Sequence, residues 1–284
     1  MELHVEELFF WDPIALEGTP FEINRVVLLM FVASILCMAF FLIGSRRQER
    51  TPRGIQLLAE QAYFFVRNNI AIDVIGQEGI KFAPYLAALF YFIFFANLLE
   101  IVPGINFPVT SRMAIPAFLA ALTYVIFIFL GFRRRGFRYL TETLFPPGVP
   151  KPIYILLAPI EFFSTFVIRP LTLAIRLLAN MMAGHVLLTI FFLFTNTFLL
   201  GAFDGGLMNI VGGIPLGIVT LVVACVLLIF EMLVISIQAF IFTLLTAFYI
   251  AEALHGAHEE EEAETDRSEG PEPIQETEGV KEAA

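Results

Sequence analysis

The chain has 284 residues, of which 58% are hydrophobic and 15% charged, where water-soluble domains carry roughly 45–50% and about 25%. That balance excludes an ordinary soluble globular protein, and whatever core the chain buries lies between helices able to cross a hydrocarbon layer of ~30 Å. The net charge of -10 is local, because residues 258–284 hold eleven acids against two bases and leave the rest of the chain close to neutral.

In chain order, residues 1–22 form an acidic segment with six carboxylates and no Lys or Arg, so no basic n-region of a secretory signal is evident. A first membrane helix is predicted over about 23–43, followed by a basic run from Arg46 to Arg53 that marks the cytoplasmic side and places the N-terminus outside. Residues 53–75 mix apolar positions with Glu60, Arg67, Asn68, Asn69 and Asp73, which suits an amphipathic helix lying at the interface. A second span is expected over about 82–102 and a third over about 113–132. The third ends at Arg133, Arg134, Arg135 and Arg138, a second basic cluster that gives the same sidedness.

The run PPGVPKP (146–152) breaks the chain before two unusually long apolar stretches, at about 157–200 and 215–254, with the turn-rich segment 201–215 between them. The 39 residues from Leu216 to Leu254 contain no Pro. As one helix they reach about 60 Å at ~1.5 Å per residue, twice the hydrocarbon thickness. The expected architecture is therefore an all-α polytopic membrane protein of about five membrane helices. It includes two long, steeply tilted C-terminal helices and one interfacial amphipathic helix, and the chain from 23 to 257 forms a single membrane domain. Residues 258–284 lack the apolar content to offset their ordering entropy and are read as a disordered cytoplasmic tail.

No HExxH, zinc-ligand spacing, phosphate-binding glycine loop or GxSxG elbow is present, so a soluble hydrolase or kinase has no support and no cofactor is implied. Cys37 and Cys225 sit inside apolar runs and read as small core residues. What stands out is polarity at membrane depth: Asn97, Glu100, Glu161, Arg176, Asn180, His185, Glu231 and Gln238. Ionisable groups there are costly and by default face protein or water along an ion path. The competing reading is that Glu100 and Arg176 simply reach towards headgroups. At ~100° per residue Asn180 shares a face with Arg176, whereas His185, nine residues on, points to the opposite side; Glu231 and Gln238 share a face of the last helix.

The sequence IRPLTLAIRLLANMMAGH (168–185) closely resembles the signature of subunit a of the F-type ATP synthase, and it is joined in the family's order by FFANLLEIVPG (94–104), PIEFFSTFVIRP (159–170) and EMLVISIQAFIFTLLTAFYI (231–250). The resemblance implies that Arg176 is the stator arginine facing a rotating ring of subunit c, with Asn180 one turn later and Gln238 opposite the arginine. It places His185, Glu231, Asn97 and Glu100 in an outer half-channel and Glu161 in a cytoplasmic one. In some members the acid of the His185–Glu231 pair comes first, and the spacing from Ser164 to Pro170 is one residue longer here than in some members. The implied partners are the ring of subunit c, the peripheral-stalk subunit b, the remaining synthase subunits and the lipid of a bacterial plasma membrane, with no nucleic acid. The chain is expected to lack a catalytic nucleophile of its own and to conduct protons for the complex. A self-contained secondary transporter or channel is the alternative, and the paired broken-helix repeats common in such folds are not seen in the sequence.

Overall fold

The computed structural model describes residues 24–46, 53–102, 105, 107–145, 151–202 and 207–255. Both the acidic N-terminal segment and the acidic tail lie outside them. Every regular element among the described residues is helical. The principal helices are α1 (Arg25–Ser45), α2 (Ile55–Val66), α3 (Ala83–Leu98), α4 (Ala114–Arg135), α5 (Arg138–Leu144), α6 (Tyr154–Phe163), α7 (Arg169–Gly201) and α8 (Leu207–His255). A π-helical turn, Ser164–Ile168, joins α6 to α7 without a break, and a second, Arg67–Ile72, prolongs α2. Four stretches, Arg25–Ser45, Ala114–Arg135, Tyr154–Gly201 and Ile210–Leu254, are long and apolar enough to cross a membrane, and Ala83–Leu98 is a shorter apolar helix.

Local chemistry sets the helix ends. Asn24 caps α1 by accepting the Val27 N–H at 3.1 Å, which satisfies one of the donors a helix start leaves open. Gly136, at φ +60°, closes α4 after its three arginines in a conformation that only glycine adopts freely. Side-chain bonds then fix how the helices alternate. Arg25 donates to the Ile105 carbonyl at 2.6 Å, so the start of α1 meets the loop beyond α3. Arg134 pairs with Glu78 at 2.5 Å, so the end of α4 meets the turn that precedes α3. Arg169 at the start of α7 pairs with Glu252 near the end of α8, which makes the two long helices antiparallel neighbours.

The core is a seam of apolar side chains, including Leu86, Ile93, Leu177, Met181, Ile235 and Phe242, each essentially inaccessible. Large apolar side chains such as Phe31, Phe118, Ile155 and Ile229 point outward. On a soluble monomer an apolar surface of that extent is rare, whereas lipid tolerates it.

Two readings from sequence change. The segment 201–215 reads as a turn, yet helix α8 begins at Leu207 and runs through Pro215. A Cβ at Gly213 would press on Ala202 and the Phe198 carbonyl, and one at Gly217 on Leu199. These glycines, one helical turn apart, serve close helix approach and not chain reversal. Cys225 is exposed on α8 and is not a core residue; Cys37 is buried.

Candidate functional site

Helix α7 presents two chemically different sides. Leu173, Ala174, Leu177, Met181, Gly184, His185 and Leu188 recur at three- and four-residue intervals and face inward. Arg176 faces outward and is exposed, amid an apolar surface that includes Leu171 and Ile175. Among the described residues it makes no hydrogen bond or ion pair; Tyr249 of α8 lies within electrostatic reach. Asn180, half-buried, stands at the border between the two sides and donates to the Gln238 Oε1 at 2.6 Å. Gln238 is buried in α8, and its Nε2 has no hydrogen-bond partner among the described residues. The glutamine thus meets Asn180 and not the arginine.

On the inner side four elements converge. His185 is buried, with its Nδ1 3.6 Å from the Glu100 Oε1 and its ring edge-on to Phe107 at 6.0 Å. Glu100 is 1% exposed, which removes the reading that it reaches for headgroups, and neither of its oxygens has a hydrogen-bond partner among the described residues. Asn97, one turn earlier in α3, accepts a hydrogen bond from the Thr110 hydroxyl, and its Nδ2 is likewise unpartnered. From α8 the Glu231 carboxylate is buried directly over Gly184, where a side chain would overlap it, and Glu100 is its electrostatic neighbour. Buried polar atoms are normally paired with protein or water. A cluster holding this many open donors and acceptors is equipped to take up water and to pass protons.

Glu161 stands apart, half-buried on α6. On the continuous helix from Tyr154 to Gly201 it lies roughly 22 Å from Arg176 in one direction, while His185 lies roughly 13 Å away in the other, at ~1.5 Å per residue. Glu161 and His185 are therefore offset along the helix axis on either side of the arginine.

Two participants escaped the reading of the sequence, and a third residue beside them carries a buried polar group one turn from His185. Thr110 folds back over Asn97 from a short PVTS segment with no periodicity to announce it. Gly184 looked like ordinary helix packing, and its role as the seat of Glu231 appears only when α8 is in place. Thr189, with a buried hydroxyl lacking a hydrogen-bond partner among the described residues, had a usable signal, since it follows His185 by one turn on the same face. Among the described residues no group of three or more His, Cys, Asp or Glu is arranged to hold a metal ion.

Lipid-compatible helices around a buried acid–imidazole cluster, with an arginine displayed on the outer wall, define an all-α polytopic membrane protein built to handle charge within the bilayer. The family model described as the ATP synthase A chain matches residues 27–251, and the chain belongs to that family. Among its relatives are proteins named ATP synthase subunit a from Rhodococcus erythropolis, 41% identical over 89% of this chain and 91% of that protein, and from Frankia alni, 41% identical over 88% and 84%. One from Hyphomonas neptunium is 35% identical over 89% and 95%.

Proposed function

We propose that this chain is the proton-conducting stator of an F-type ATP synthase, working against a rotating ring of subunit c and held by the peripheral-stalk subunit b. In this reading it sits in a bacterial plasma membrane with its N-terminus outside and its C-terminus in the cytoplasm. The observation that carries it is the division of α7: a bare Arg176 on the outer wall, and the buried Asn97, Glu100, His185 and Glu231 on the inner side, displaced along the axis.

An arginine facing lipid alone is costly, so its position calls for an anion that passes in front of it. A carboxylate on a moving ring supplies one. Protons enter from outside through Asn97, Glu100, His185 and Glu231 and neutralise a ring carboxylate, which can then travel through lipid. When it returns to the stator from the other side, Arg176 favours its charged form and the proton leaves towards the cytoplasm past Glu161. Two unit charges at ~4 Å interact by about 4 kcal/mol at an effective dielectric of 20, enough to discharge an acid and still release it. Asn180 and Gln238, bonded to each other, define the wall beside the arginine. Each proton brings roughly 2.3 kcal/mol per 100 mV, so several must be summed for each nucleotide made.

The two-path arrangement is tested by thiol labelling in the assembled complex, with Cys37 and Cys225 replaced by Ser. Cysteine at position 97 should react with a membrane-impermeant reagent only from outside, and cysteine at position 161 only from the cytoplasmic side. Labelling of both positions from one side would overturn the reading.

A further inference from the structure

Seven residues before Arg176 the same regular helix carries a second arginine, Arg169. At ~100° and ~1.5 Å per residue the two lie within about 20° of one stripe and roughly 10 Å apart along the axis. Their surroundings differ. Arg176 has no ion-pair partner among the described residues, whereas Arg169 donates to the Glu252 carboxylate of α8 and stacks over Tyr249, 5.4 Å from the ring centroid. Both members of the Arg169–Glu252 pair keep about a quarter of their side chains exposed, at 25% and 26%, so the charges are neither fully screened nor sealed away. Nearby Tyr139, at the start of α5, packs on Gly131; burial, and then the Glu252 charge, push its phenol up to about 12, so it brings no charge of its own near neutral pH. Within this group the arginine and the glutamate cancel.

We propose that Glu252 is a positioning residue of the stator, cancelling the charge of Arg169 so that Arg176 is the single uncompensated cation on this stripe of α7. The proposal rests on the reading of Arg176 as the group that discharges ring carboxylates. A bare cation at Arg169 would give each passing carboxylate a second place to rest, displaced towards the basic ends of the helices, and the ring would dwell there. Glu252 confines the discharge to one level of the helix. Tyr249, within electrostatic reach of both arginines, spans the gap between the two levels.

The alternative is a staple: the pair simply ties the start of α7 to the end of α8. A double-substitution cycle separates the two, because a staple is lost equally when either or both partners go, whereas charge cancellation is restored when both go. The measurement is ATP-driven acidification of inverted vesicles carrying the whole complex, with subunit levels followed by immunoblot. Glu252→Gln should slow pumping at least about ten-fold with normal assembly, and Arg169→Gln combined with Glu252→Gln should return it to within about three-fold of the parent. A double variant as slow as Glu252→Gln alone, or a Glu252→Gln variant within about two-fold of the parent, overturns the proposal. Where Glu252→Gln fails to assemble, the double variant decides alone: retained pumping supports charge cancellation, and its loss supports the staple. Arg176→Lys in the same vesicles keeps the two claims distinct, since normal pumping there defeats the gate reading itself, while uncoupling there with no recovery in the double variant defeats only the role of Glu252.

Discussion

A side chain at position 184 would occupy the space of the Glu231 carboxylate, and that carboxylate is the movable end of a long side chain, not backbone. Gly184→Ala should therefore leave the fold and the assembly of the complex intact while pushing the acid away from its place in the cluster. The expected result is a fall of about ten-fold in proton-driven ATP synthesis, with part of it recovered when Glu231→Asp shortens the displaced side chain. Unchanged synthesis in Gly184→Ala would mean that the seat of Glu231 does not matter. Residue type and helical spacing were enough to single out Asn97, Glu100, His185 and Glu231 from the sequence, because polar groups stand out against an apolar run. Which of them meet was not legible: the His185 Nδ1 lies 3.6 Å from the Glu100 Oε1, an acid just beyond the end of α3 and 85 positions earlier, and nothing in local periodicity encodes that contact.

Among the elements, the π turn Ser164–Ile168 lies within the stretch from Ser164 to Pro170, where the family resemblance implies one residue more than in some members. A π turn holds one more residue per hydrogen-bonded turn than an α turn, so it absorbs an insertion and leaves the flanking helices in phase. Deleting one residue within the π turn should convert it to regular α-helix, keep Glu161 in register with Arg176, and leave ATP synthesis within about three-fold of the parent. Deleting Leu178 instead should turn His185 by ~100° relative to Arg176 and abolish synthesis. Equal loss from both deletions, scored as ATP synthesis in energised vesicles, would contradict this account. The long α7 and α8 were visible as apolar runs, but the start of α8 was not. Gly and Pro are read as turn residues when only the local sequence is considered, and the close approach of Gly213 to the Phe198 carbonyl and Ala202 supplies the tertiary reason it is helical here.

For the whole molecule the geometry is one of sides and levels. Arg134 with Glu78, and Arg169 with Glu252, gather basic helix ends on one side, while the Asn97–Thr110 hydrogen bond and the Arg25–Ile105 contact gather the loop beyond α3 on the other. Between these ends the buried acids and imidazole stand at one level of α7, and Arg176 at another. In the proposed mechanism Arg176 acts as an electrostatic gate and not as a proton carrier, since a guanidinium is not deprotonated in proteins and so cannot relay a proton. Lysine keeps the charge but is compact, strongly hydrated and able to deprotonate when desolvated. The most direct measurement compares ATP-driven acidification and passive proton leak in inverted vesicles for Arg176→Ala and Arg176→Lys, with subunit levels checked by immunoblot. Both variants should assemble, neither should pump in a coupled way, and the alanine variant should leak protons passively. Normal coupling with lysine at this position would contradict the electrostatic gate.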